Sequence, residues 1–161
     1  MTDPLSDLTK EFPTDKGPAV HNYTPIYDFL FRERREAVRK VLEIGVFGGD
    51  SIRCWCVYFP NAQVWGVDIK DFGINSAERS SYLSRFEFIL GDITEESTQQ
   101  TVQRMVGGDV DLIVDDGSHR SEDVWEAYDA LWPLVKSGGY YIVEDMAPVG
   151  NGHAMWIIRK P

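Results

Sequence analysis

The residues with the most chemical capacity in this 161-residue chain are acids that follow short apolar runs. Asp115 and Asp116 follow Val110-Asp111-Leu112-Ile113-Val114, with His119 three residues further on; Glu144 and Asp145 follow Tyr140-Tyr141-Ile142-Val143. If the two runs are neighbouring strands, about 5 Å apart, then Asp116, Glu144 and Asp145 converge on one point. Three carboxylates so placed cannot all ionise comfortably without a counterion. Hard oxygen ligands suit a hard divalent cation, Mg²⁺ first, with Ca²⁺ or Mn²⁺ fitting the same set. A hydroxyl bound to such an ion has a lowered pKa, and His119 is placed to take its proton. The bland alternative makes the same residues loop caps and a surface histidine.

A second constellation lies earlier, in Val41-Leu42-Glu43-Ile44-Gly45-Val46-Phe47-Gly48-Gly49-Asp50-Ser51. An apolar run ends at a glycine loop, and Asp50 or Ser51 can cap the helix that follows. Strand, glycine loop and helix form a nucleotide-binding turn. A dinucleotide or phosphate would want free N–H groups without a nearby acid. Here Glu43 sits at the strand end and no Lys or Arg occurs in the loop, which suits a cationic ligand such as the amino group and sulfonium of S-adenosylmethionine. A tight turn that binds nothing would have the same pattern. Gln63-Val64-Trp65-Gly66-Val67-Asp68 ends in an acid a little over twenty residues beyond the loop, where a carboxylate can accept both ribose hydroxyls. Phe86 to Asp92 ends in another, and Asp92 followed by Ile93 could bond an adenine amino group and pack on its ring.

These acids need five strands alternating with helices, a doubly wound α/β sheet of order 3-2-1-4-5 whose carboxyl edge carries the ligands. The helices are expected from Thr24-Pro25 onward, with an apolar stripe of Tyr23, Ile26, Tyr27, Leu30 and Phe31; from the glycine loop through Val57; over about Ser97 to Val106; and from a Ser121 cap, with Val124, Trp125, Tyr128, Leu131 and Trp132 turned inward. Between Phe72 and Leu83 lies a polar connection with room for a short helix. Residues 1–13 are expected to be a flexible terminus, and 14–161 a single domain in which 14–40 supplies a lid and the first helix. Cys54 and Cys56, two apart on one helix, point to different faces and are expected to be buried thiols. A net charge of −10 argues against binding nucleic acid or an anionic membrane and favours a small or neutral substrate. No apolar stretch is long enough to span a membrane and no signal-peptide pattern is present, so the expected location is the cytoplasm.

Together the motifs resemble class I S-adenosylmethionine-dependent methyltransferases, and among them the metal-dependent macrolide sugar O-methyltransferases and the cephalosporin hydroxylase-like proteins. The matching stretches are Thr14-Asp15-Lys16-Gly17 with His21, Tyr23 and Tyr27; Leu42 to Val46 with Gly48, Gly49 and Ser51; Gly66 to Asp68; Gly91-Asp92; Ile113 to His119; and Gly138 to Met146. The resemblance implies a Rossmann-like fold and an O-methyltransferase using S-adenosylmethionine and Mg²⁺ on a hydroxyl of a sugar or glycosylated natural product. It assigns cofactor contacts to Lys16, Tyr23, Glu43, Gly45, Ser51, Asp68, Asp92, Ile93 and Asp115. Asp116, Glu144 and Asp145 would hold the metal, with His119 as general base beside Asp116 and the Asp15 to Tyr23 segment closing over the cofactor.

The pattern departs from that family at its end, where sixteen residues follow Asp145. The short connection Pro148 to Gly152 forces the last apolar run, Ala154 to Arg159, to pair antiparallel with the fifth strand. This reads as a shortened carboxyl terminus, and its open edge suggests a homo-oligomer. Three rivals stand beside this reading. They are a nicotinamide-dependent oxidoreductase, disfavoured by Glu43; a catechol-type O-methyltransferase; and a catalytically silent S-adenosylmethionine-binding protein.

Overall fold

A computed structural model describes residues 3–73, 81–146 and 154–161. Strands β1 (Lys40–Ile44), β2 (Gln63–Asp68), β3 (Phe86–Leu90), β4 (Val110–Asp115), β5 (Val135–Met146) and β6 (Ala154–Arg159) form one sheet. Their order is β3-β2-β1-β4-β5-β6. All neighbours are parallel except β6, which runs antiparallel to β5 with Ile142 opposite Ile157. This is the doubly wound Rossmann-like sheet expected from the sequence, with its final antiparallel strand. The connection expected over 148–152 and the room for a helix after Phe72 fall largely outside the described residues.

β1 and β4 are buried on both faces, which is why they read as continuous apolar runs. The period of two sends successive side chains to opposite cores. Val41, Leu112, Val114 and Ile142 pack with Tyr27, Phe31, Trp55 and Phe59 under the helices α1 (Pro4–Leu8), α2 (Thr24–Phe31) and α3 (Asp50–Tyr58). Leu42, Ile44, Ile113 and Tyr141 face the opposite layer, where α4 (Glu96–Val106) and α5 (Ser121–Leu131) supply Val102, Val106, Val124 and Leu131.

Several local expectations change. The amino-terminal residues expected to be loose instead form α1, capped by the Asp3 side chain accepting from the Ser6 N–H, because Leu5 is fully buried in the core. The stripe on α2 is narrower than its sequence suggests: Tyr23, Tyr27 and Phe31 are buried, whereas Ile26 is exposed on the outer side. Ser121 begins α5 without a capping hydrogen bond, and Trp125 stays half exposed against Tyr128 and Trp156 rather than turning inward. The residue preceding α3 is Gly49 in the left-handed region, which frees Ser51 for another partner. No helix among the described residues is long and apolar enough to cross a membrane.

Cys54 and Cys56 are both buried free thiols, and burial pushes each pKa up to about 12. At pH 8 the native protein should therefore resist a thiol reagent, while protein unfolded in denaturant should react at both cysteines in the same assay. Leu112→Ala, which removes a fully buried side chain at the centre of the sheet, should cost about 2–5 kcal/mol in a denaturant titration.

Candidate functional site

The order of the sheet reverses between β1 and β4, so the loops leaving their carboxyl ends diverge and leave a crevice. Gly45 sits where the two loops touch. Its φ is +82°, and a Cβ there would lie 2.0 Å from the carbonyl oxygen of Asp116. Only glycine lets the chain pass beneath the β4 loop, and this crossing sets the glycine loop against Asp116. A cavity of about 630 Å³ opens above it, a size ordinary for a small-molecule site.

Lys16, Gly45, Ser51, Asp68, Asp92, Ile93, Asp115, Asp116 and His119 all line this cavity. Asp68 accepts from the backbone N–H groups of Val46 (2.8 Å) and Phe47 (3.0 Å) through one oxygen and from Lys70 N–H (3.1 Å) through the other. The acid at the end of β2 thus holds the shape of the glycine loop. Asp92 accepts from the backbone N–H and hydroxyl of Thr94. Asp115 is turned inward to the Tyr141 hydroxyl at 2.9 Å, and burial pushes its pKa up to about 6 against the pull of that hydrogen bond.

The centre of the arrangement is Lys16. Its side chain is 2 % exposed, and its Nζ donates to Asp116 Oδ2 and to Glu144 Oε2 (2.6 Å) while standing 3.4 Å from Glu43 Oε1. Burial alone would lower its pKa, but Glu144, Glu43 and Asp116 outweigh burial and hold the ammonium well above the ordinary lysine range. Glu43 is itself raised to about 7, chiefly by burial and against the pull of Lys16. Its Oε2 accepts from the Ser51 hydroxyl at 2.8 Å, whereas its Oε1, fully buried, has no hydrogen bond. Glu144 is closed on its other side by the Tyr27 hydroxyl, and Tyr23 donates to Asp145 at 2.6 Å.

Asp116 is shared. While Oδ2 faces Lys16, Oδ1 lies 3.1 Å from His119 Nε2. Burial works to raise the Asp116 pKa, yet the His119 and Lys16 contacts prevail and hold it low; in return the hydrogen bond to Asp116 raises His119 despite its partial burial. Ligand atoms of Asp116, His119 and Asp145 all lie within 4.8 Å of one another, a spacing that suits a small divalent cation. Asp116 and Asp145 therefore meet as expected from the sequence. Glu144 lies deeper, shared between Lys16 and Tyr27.

Two features are not anticipated from the sequence alone. Tyr27 reads as one member of an apolar stripe, and only a hydroxyl in an otherwise hydrocarbon position hints at its bond to Glu144. Phe47, Ile69 and Phe72 line the cavity with exposed apolar surface, the two rings 5.0 Å apart; loop positions carry no periodicity that would point to them.

Residues 42–146 match the family model described as "Methyltransferase domain". The chain belongs to this family. It is 36 % identical over 151 residues to mycinamicin VI 2''-O-methyltransferase of Micromonospora griseorubida, covering 88 % of this chain and 36 % of that protein. It is 34 % identical over 149 residues to demethylmacrocin O-methyltransferase of Streptomyces fradiae, covering 88 % and 36 %. The MycE methyltransferase from the mycinamycin biosynthetic pathway, solved in complex with Mg, SAH and mycinamycin VI, superposes with a TM-score of 0.78 at 36 % identity over 90 % of this chain and 37 % of that one. The chain thus spans a little over a third of the length of the curated relatives it matches.

Gly45→Ala would place its methyl group on the Asp116 carbonyl and force a strained backbone, costing about 1–3 kcal/mol from the backbone alone. A thermal melt should show the lower midpoint.

Proposed function

We propose that the chain is an O-methyltransferase that uses S-adenosylmethionine and Mg²⁺ to methylate a hydroxyl of a sugar or glycosylated natural product. The observation that carries this reading is the convergence, at one switch point, of a Glu43 to Ser51 cofactor loop with Asp116, His119 and Asp145. The relatives named above are O-methyltransferases, and the complex of MycE with Mg, SAH and its macrolide supports the same cofactor, metal and acceptor class for this chain. In this reading Glu43 and Gly45 meet the methionine part of the cofactor, Asp68 the ribose, and Asp92 with Ile93 the adenine. Ser51, Asp115 and Lys16 complete the pocket, while Tyr23, which does not line it, acts through its hydrogen bond to Asp145.

Asp116, Glu144 and Asp145 would hold Mg²⁺, which lowers the pKa of a bound hydroxyl. The rest falls to the protein. His119 donates its Nε2–H to Asp116, which orients the imidazole and stabilises its protonated form, and accepts the hydroxyl proton at the other ring nitrogen, Nδ1. The cavity walls hold the nucleophilic oxygen, the methyl carbon and the sulfur in line, which is where most of the acceleration of such a transfer arises. The single domain takes in α1 as well as 14–161, and of the segment 14–40 it is Thr14, Asp15 and Lys16 that stand against the cofactor cavity. The acceptor is a small molecule, and a homo-oligomer in the cytoplasm belongs to the same proposal.

Calorimetric titration with S-adenosylmethionine and S-adenosylhomocysteine, with and without Mg²⁺, tests the cofactor assignment: micromolar binding should be lost in Asp68→Ala, and the absence of binding under every condition would sink it. Methyl transfer to a panel of glycosides should stop on chelation of the metal. His119→Ala should fall by about 10²–10⁴-fold in rate with S-adenosylhomocysteine binding retained. Undiminished turnover in that variant would remove His119 as the base.

A further inference from the structure

We infer that Lys16 is a built-in counter-cation of the metal site, one that exchanges Asp116 and Glu144 for Glu43 when a divalent cation binds. This rests on the metal-dependent reading above and goes beyond it by giving Lys16 a positioning role toward the ion.

The hydrogen bonds already in place leave little choice. Asp116 Oδ1 is engaged by His119, and Glu144 Oε1 by Tyr27. The remaining oxygens of these two acids, Oδ2 and Oε2, are the ones the Lys16 ammonium holds. A divalent ion that takes Asp116 and Glu144 as ligands competes with Nζ for those oxygens. It also brings two positive charges into direct opposition with a third in a buried, weakly screened site.

Lys16 cannot leave for solvent, because its side chain is 2 % exposed. It does have a destination. Glu43 Oε1 is buried, carries no hydrogen bond, and lies 3.4 Å from Nζ. A shift of the ammonium toward Glu43 would turn this 3.4 Å ion pair into a direct hydrogen bond to a buried acceptor.

The exchange also reaches the cofactor loop. Glu43 Oε2 receives the Ser51 hydroxyl at the start of α3, so an ammonium seated on Oε1 fixes the carboxylate from both sides. Lys16 thereby couples occupancy of the metal position to the geometry of the loop proposed to hold the methionine end of the cofactor.

The test is a double-mutant cycle read by Mn²⁺ binding, with the free ion followed by electron paramagnetic resonance and no turnover required. Lys16→Met, freed of the competing ammonium, should bind Mn²⁺ about tenfold or more tightly than wild type and should gain more in melting temperature from the ion. Glu43→Gln should weaken Mn²⁺ binding in the wild-type background and have little effect in Lys16→Met, because its contribution passes through the ammonium. Equal or weaker binding in Lys16→Met, or the same Glu43→Gln penalty in both backgrounds, overturns the exchange while leaving the metal reading intact. A wild-type chain that binds no Mn²⁺ overturns both. Should Lys16→Met fail to fold, a crystal structure of wild type with Mn²⁺ decides the matter: Nζ within hydrogen-bond distance of Glu43 supports the exchange, and Nζ still on Asp116 and Glu144 refutes it.

Discussion

A buried ammonium among buried carboxylates is the constraint on which this structure turns. Lys16 comes from the segment before α2, Glu43 from the end of β1, Asp116 from the loop after β4, and Glu144 from β5. None of these groups could be buried and charged alone, since an unpaired ion in a low-dielectric interior costs several kcal/mol. Held together, they tie the amino-terminal segment across the carboxyl edge of the sheet. Tyr23 and Tyr27 repeat the pattern on a smaller scale, anchoring α2 to the two acids at the end of β5.

The sheet supplies the positions that make such pairing possible. Parallel strands in the order found here bring the ends of β1, β4 and β5 side by side, with Ile44 opposite Asp115 and Asp115 opposite Val143. The acids just beyond those ends are therefore neighbours in space despite their distance in sequence. Gly45 then allows the β1 loop to approach the Asp116 backbone more closely than any side chain would permit. Glycine loop and acid cluster are one feature, joined through Glu43.

Much of this was legible in the sequence because each acid follows an apolar run broken by glycine or by a second acid. Periodicity identifies the strand, and the rule that ligands gather at the carboxyl ends of parallel strands assigns the acid. Glu43, Asp68, Asp92 and Asp116 were accessible that way. The partners of Lys16 were not. It bonds to Asp116 one hundred residues away, and nothing local marks a loop lysine as the centre of a buried cluster. Tyr27 is hidden for a related reason: helical spacing accounts for its ring and is silent about its hydroxyl. The narrower stripe on α2 and the exposed Trp125 reflect the limits of periodicity, which finds a face but not how much of it the neighbouring layer covers.

The two sides of the cavity differ in a way that bears on its ligand. Toward β4 the wall is ionic, with Asp116, His119 and Lys16; toward β2, Phe47, Ile69 and Phe72 add exposed apolar surface alongside Asp68 and Lys70. A contiguous exposed apolar patch is a mark of a binding surface, and Lys70, which also lines the cavity, holds its Nζ 5.0 Å from the centre of the Phe72 ring. A ligand suited to both walls has a flat, heteroaromatic end that packs against the rings and a charged end that meets the ionic wall. An adenosyl sulfonium has that division of character, whereas a simple sugar or a free amino acid has only half of it. The polarity of the cavity thus argues for the same cofactor as the acids do, from residues that lie outside the acid pattern.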